Sequence, residues 1–253
     1  MKKAIDIHCH FNHGSRYDTK ETDNYKCDLE FLRNERKRLS ISACALTTFS
    51  SVLSPNLVEE ENEYLYKIAQ EDDFVWQWVV VEPKNEKTFE QAKYMLASSK
   101  TLGIKIHPSY HGYTISEYAD KIFSFADAEG CVVLMHPDNM DDTLLFANKY
   151  PNMKLIVAHL GTNEEYIRLI RDAKYQNIYT DTSGMASFKN NVIENTVRSV
   201  GSDKILFGTD SYSCAFQRGR IDYADISDCD KENMLFNNVV KLFPKLKMTE
   251  KEK

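Results

Sequence analysis

Ala4-Ile5-Asp6-Ile7-His8-Cys9-His10 opens the chain with a short apolar run ending in two imidazoles two residues apart. Side chains i and i+2 of an extended strand project to the same face. The spacing therefore predicts Asp6, His8 and His10 on one side and Ile5, Ile7 and Cys9, a packing residue, on the other. Such a strand carries half a metal site; the competing reading is a polar strand end whose histidines only hydrogen-bond. The rest of the chain decides between them.

Short β-branched runs alternate with longer amphipathic stretches, and eight such runs predict strands at 4–10, 42–48, 75–82, 103–107, 131–136, 154–159, 177–182 and 205–210. Between them, segments such as Leu57 to Ala69 place Leu57, Leu65, Ile68 and Ala69 on one side with a helical period. Ser54 before Pro55, Thr114 with Glu117 and Thr162 with Glu165 have the spacing of helix starts. Helical crossovers favour parallel pairing, because a crossover that long returns the chain to the same sheet edge. Eight repeats in 253 residues predict an α/β chain closed into a (β/α)8 TIM barrel, a fold that takes about 250 residues. An open doubly wound sheet would ask for a Gly-rich phosphate loop after the first strand, and none is present. No segment reads as a linker apart from the charged tail after Pro244, so residues 1–253 form one expected domain.

Composition narrows the function classes. With 38 acidic and 32 basic residues and a net charge of −6, the chain lacks the basic surface of a nucleic-acid binder. It has no apolar run of the ~20 residues that span a bilayer. Met1-Lys2-Lys3 has the charge of a secretory start, but Asp6, His8 and His10 fall where its apolar stretch belongs. Six cysteines without a CxxC pair fit reduced thiols in the cytoplasm. The partners left are a small-molecule substrate and further copies of the chain, as a homo-oligomer.

In such a barrel the catalytic groups gather at the C-terminal ends of the strands. His107 ends Gly103-Ile104-Lys105-Ile106-His107, His136 ends Cys131-Val132-Val133-Leu134-Met135-His136, His159 ends Leu155-Ile156-Val157-Ala158-His159, and Asp210 ends Leu206-Phe207-Gly208-Thr209-Asp210. Five of the seven histidines thus stand at strand ends. Isolated turn-stabilising imidazoles or a capping aspartate would not be so ordered.

The ordered set DIHCH, GIKIHP, LMHP, AHLG and FGTDS, followed by Asn238-Val239-Val240-Lys241-Leu242-Phe243, resembles the metal-dependent amidohydrolase superfamily. Within it, the likeness is to the amidohydrolase-2 branch of aminocarboxymuconate-semialdehyde decarboxylase-like enzymes. It covers nearly the whole chain. It implies His8, His10, His136 and Asp210 on a divalent metal, with His159 as the proton-transfer residue. The donor types agree, since imidazole nitrogen and carboxylate oxygen suit zinc, and a site that keeps one water is the catalytic kind. A bound metal lowers the pKa of that water from 15.7 to roughly 7. One Zn2+ is the expectation, with Mn2+ or Fe2+ as alternatives.

Lys105 shares a strand face with His107 and needs a partner if buried. It is expected to bridge a second metal once carboxylated, to anchor a substrate carboxylate or to pair with Asp6. His107, His13 and Arg218 are the other candidates for substrate contact, the last two from the loops Phe11 to Asn24 and Ser211 to Asp228. The function expected first is hydrolysis, with a metal-bound hydroxide attacking an amide, ester or lactone carbonyl and Asp210 and His159 as catalytic residues. Metal-dependent decarboxylation of a small carboxylic acid comes second. A TatD-type nuclease and a non-catalytic ligand sensor come last, the former because Lys105 stands where an acidic residue belongs.

Overall fold

The computed structural model describes residues 1–12, 27–161, 164–211 and 213–246. Eight strands run β1 Ala4–Phe11, β2 Ile41–Thr48, β3 Val75–Val80, β4 Thr101–Ile106, β5 Val132–Met135, β6 Lys154–Val157, β7 Ile178–Asp181 and β8 Ile205–Leu206. They lie in one sheet in chain order, each neighbouring pair parallel. Backbone bonds from Ile7 N to Phe207 O (3.0 Å) and from Asp210 N to His8 O (2.8 Å) tie β8 back to β1. The result is a single (β/α)8 barrel, as the alternation of runs predicts.

Several strands are shorter than their sequence runs. β8 stops at Leu206 rather than 210, because the next amides are used elsewhere: Phe207 N donates to Met234 O, and Thr209 N and Asp210 N both donate to His8 O. His107, His136, His159 and Asp210 accordingly lie just past the last ladder residues, on the loops of the C-terminal rim.

β1 departs from simple alternation. Asp6 pairs with Cys44 and Cys9 with Leu46, so three steps on β1 match two on β2. One extra residue in a strand is a bulge, and it changes which side chains share a face. Ile7 packs in the barrel interior with Ile5, and His8 also reaches across it, to Lys105 of β4 and Asp181 of β7. Asp6 points outward instead, to Arg36 of the first helix, α1 Leu29–Arg38. The expected common face of Asp6, His8 and His10 is therefore corrected: Asp6 lies behind the site, and the expected Lys105–Asp6 pair does not form. Cys9 packs outward among Leu32 and Leu46, as expected.

Two layers of apolar contact hold the barrel. Its lower interior is filled by Ile5, Ile7, Ala43, Ala45, Trp76, Trp78, Val132 and Leu134. Val239 and Val240 of the helix Asn238–Leu242, with Phe243 just after it, close this N-terminal mouth, the Phe243 ring lying edge-on to Trp78 at 5.7 Å. Trp78 Nε1 donates to Ile7 O at 2.8 Å, which satisfies the one polar atom of a fully buried indole. Outside, Val79, Ile104, Ile106, Val133, Leu155 and Val157 pack against the surrounding helices.

Local capping follows the sequence in part. Thr114 and Glu117 form the expected capping box, but Pro55 opens a 3-10 turn and the helix proper begins at Val58. Thr162 lies outside the described residues, and the helix there begins at Tyr166. The polar stretch after Ser211 contains a helix, Cys214–Asp222, whose buried residues Cys214, Gln217, Arg218 and Ile221 recur at helical spacing.

Candidate active site

At the C-terminal rim a cavity of about 290 Å³ is lined by His8, His10, Lys105, His107, His136, His159 and Asp210, with Phe49, Val52, Leu53 and Tyr110 facing them. Residues more than 200 positions apart in sequence meet here. One group facing the cavity is His8, His10 and Asp210, whose ligating atoms lie within 4.8 Å of one another. Asp210 Oδ1 is 3.1 Å from His10 Nε2 and 3.8 Å from His8 Nε2. His136 lines the same cavity outside this group, stacked on His107 with centroids 4.2 Å apart and edge-on to His159 at 4.9 Å.

Each imidazole of the His8–His10–Asp210 group is held by the nitrogen that faces away from Asp210. His8 Nδ1 is 2.9 Å from Asp181 Oδ2, and His10 Nδ1 bonds Thr47 Oγ1. A histidine anchored through Nδ1 presents Nε2 in a fixed direction, which is how metal-ligating imidazoles are oriented. Charge state agrees. Burial, reinforced by the Lys105 charge, drives His8 down to about 3 and His136 to about 4, and burial lowers His10 as well. All three rings are neutral at pH 7. Burial works against the Asp210 carboxylate, yet its hydrogen bond with His10 and the neighbouring His8 outweigh it and hold the group below the usual carboxylate range. Two neutral nitrogens and a carboxylate within ligating reach of each other fit a divalent cation.

Lys105 Nζ stands 3.1 Å from His8 Nε2, and burial pulls its pKa down to about 8. A cation on His8 Nε2 would replace that contact and leave the buried Lys105 amine facing the cavity. His107 accepts from Tyr110 N at 3.4 Å and caps the short helix Pro108–His111. His159 Nδ1 is bonded by Ser183, 3.2 Å from its carbonyl O and 2.9 Å from its Oγ. His159, Asp210 and Ser211 all have left-handed backbones, with φ of 73°, 58° and 73°. Non-glycine residues held there cost of order 1–3 kcal/mol each and cluster where function over-determines the geometry.

One described sequence candidate does not join the site. Arg218 is buried with its guanidinium on Leu39 O, Lys2 O and Asp222 Oδ2. It clamps the chain ahead of β1 and β2, at the opposite end of the barrel, so its expected substrate contact is corrected to a structural one. His13, with Arg16 and Tyr17, lies outside the described residues. Sequence reasoning missed Asp181, Ser183 and Thr47. Asp181 was within reach of it, because it ends β7 as His107, His136 and His159 follow theirs; Ser183 and Thr47 read as ordinary turn and strand residues.

A second acidic and thiol group, Asp6, Cys9 and Cys44, also brings ligating atoms together. Arg36 Nη2 meets two of its members, 3.2 Å from Asp6 Oδ2 and 3.1 Å from Cys9 Sγ, and lies 2.8 Å from Thr209 Oγ1. Asp6 in turn accepts from Thr209 Oγ1 at 2.6 Å. The cluster is thus a guanidinium-centred brace behind the site, joining α1 and β1 to the segment that carries Asp210.

With this geometry in place, the comparisons are consistent. Residues 5–248 match the amidohydrolase family, so the chain belongs to it, in the amidohydrolase-2 branch of metal-dependent enzymes. No curated protein matches the chain. Among solved structures it is similar to 2,6-dihydroxybenzoate decarboxylase from Rhizobium at 13% identity and a TM-score of 0.77, covering 96% of this chain and 99% of that one. It is also similar to a dihydroxybenzoic acid decarboxylase from Polaromonas solved with bound manganese and 2-nitroresorcinol, at 15% identity, a TM-score of 0.75, and 96% and 97% coverage. A third likeness is 4-oxalomesaconate hydratase from Rhodopseudomonas palustris, at 13% identity, a TM-score of 0.71, and 98% of each chain. Among the described residues no helix is long and apolar enough to cross a membrane.

Proposed function

We propose that the chain is a metal-dependent decarboxylase of a small planar carboxylic acid. The observation that carries this reading is Lys105: a buried ammonium beside the His8–His10–Asp210 group, in a cavity whose opposite wall is apolar. A buried cation needs an anionic partner, and a substrate carboxylate supplies one. A divalent cation on His8, His10 and Asp210, with His136 nearby, supplies Lewis-acid polarisation of the substrate's oxygens. Zn2+ and Mn2+ both suit the donor set; the Polaromonas decarboxylase was solved with manganese.

The chain's own residues then do the following. Lys105 draws the carboxylate to the floor of the cavity, while Phe49, Val52 and Leu53 accept the flat apolar part and keep water from it. The carbon–carbon bond breaks, its electron pair stays on the carbon that bore the carboxylate, and CO2 leaves. His159 delivers a proton to that carbon. Its Nδ1 faces the Ser183 carbonyl and carries a hydrogen, so the proton that moves is the one on Nε2.

One feature favours hydrolysis as a second reading. A polar pocket of about 450 Å³, lined by Asp138, Asn139, Asp141 and Glu165, adjoins the cavity through His136 and His159 and gives water a route to the site. Assaying protein reconstituted with Mn2+ or Zn2+ against hydroxybenzoates and conjugated carboxylic acids, beside lactones and amides, separates the two. The expected result is CO2 release in D2O, with one deuterium on the vacated carbon. Hydrolysis of a lactone or amide without CO2 release overturns it, and binding without turnover would point to a ligand sensor.

A further inference from the structure

His8 and His159 come from different strands, yet one pair of side chains holds both. Asp181 Oδ2 lies 2.9 Å from His8 Nδ1. Its other oxygen, Oδ1, accepts from Ser183 N at 2.8 Å, from His159 N at 3.4 Å and from Ser183 Oγ. Ser183 Oγ in turn sits 3.0 Å from His8 Nδ1 and 2.9 Å from His159 Nδ1. Asp181 and Ser183 are fully buried. The ligating atoms of His8, His159 and Asp181 are close enough to hold a metal, but the serine hydroxyl stands in their midst, so the group reads as a hydrogen-bonded hub.

Donor and acceptor counting fixes the protons. The Ser183 hydroxyl gives its one hydrogen to Asp181, so toward the two rings it can only accept. Both rings must therefore donate through Nδ1. That is the tautomer His8 needs to offer Nε2 to a cation, and the one that leaves Nε2 of His159 to exchange the transferred proton. The next residue keeps the ring in place by shape. Gly184 has φ of 61°, and a Cβ there would lie 2.8 Å from His159 Nδ1.

We propose that Asp181 and Ser183 are positioning residues that between them set the tautomers of both the metal-binding and the proton-transfer histidine. This rests on the roles given above to His8 and His159, but its test does not depend on substrate or turnover. In metal-free protein labelled with 15N-histidine, both rings are expected as Nδ1–H. Asp181→Asn is isosteric but has one acceptor where the carboxylate has two, so either Ser183 loses its partner or His8 is forced to the other tautomer. The 15N signals of at least one ring should change, and affinity for Zn2+ alone should fall roughly 10- to 100-fold. Ser183→Ala serves as the second variant, with the His159 signals shifted and Zn2+ affinity close to that of the unsubstituted protein. An Nε2–H tautomer on either ring of the unsubstituted protein overturns the proposal. So does an Asp181→Asn protein with unchanged signals and Zn2+ affinity, or unmoved His159 signals in Ser183→Ala.

Discussion

His159 and Lys105 carry separable parts of the account. His159→Ala removes the proposed proton donor and leaves His8, His10 and Asp210 in place, so turnover should fall by about 10²–10⁴-fold while bound metal per chain, measured by elemental analysis, stays unchanged. Loss of metal would instead place His159 among the ligands. Lys105→Met removes the proposed anion anchor from the cavity; KM for a carboxylate substrate should rise, and the corresponding uncharged ester should bind equally well to both proteins. At this scale the rim was legible in the sequence wherever a histidine or aspartate closed an apolar run, because a strand end in a barrel has only one place to be. Asp181 and Ser183 were not recognised because their types at a strand end are also ordinary turn chemistry. Arg218 was misplaced because a long polar stretch was read as loop, although its buried residues recur at helical spacing.

The first strand shows what an element adds to its residues. Alternation alone puts Asp6 with the histidines; the extra residue between Asp6 and Cys9 sends it outward to Arg36, and period-2 reasoning has no means of anticipating a bulge. The consequence is a buried ion pair whose members are both 0% exposed. Removing one partner strands the other, which costs about 3–5 kcal/mol. Arg36→Met should lower the urea midpoint accordingly, whereas the double change Arg36→Met with Asp6→Asn should recover part of the loss. At β4, a Cβ on Gly103 would meet Val132 O at 2.1 Å and the Trp78 ring at 2.8 Å. The carbonyl belongs to the neighbouring strand and cannot swing aside. Gly103→Ala is therefore expected to destabilise the barrel by about 1–3 kcal/mol, read as a fall in thermal midpoint; no change would mean the β4–β5 contact is looser than described.

Across the whole molecule, structure and function divide between the two mouths of the barrel. Trp76, Trp78, Val239, Val240 and Phe243 close the N-terminal end, while the imidazoles and Asp210 gather at the other. The repeat of strand and helix was plain from the sequence because eight runs left few topologies to choose from. The length of β8 was not, since it depends on the Phe207 amide turning to Met234 and on two amides, of Thr209 and Asp210, converging on the single carbonyl of His8. A cation that binds only the folded chain stabilises it by about 2.7 kcal/mol at one hundred times its Kd, so chelation should lower the thermal midpoint and Zn2+ or Mn2+ should restore it.

The central claim is that side chains remote in sequence converge on one cation. Anomalous scattering at the manganese edge, from crystals grown with Mn2+, tests it most directly. The account predicts a single strong peak bonded to His8 Nε2, His10 Nε2 and Asp210. A peak at Asp6, Cys9 and Cys44 instead, or no peak at saturating Mn2+, would contradict it.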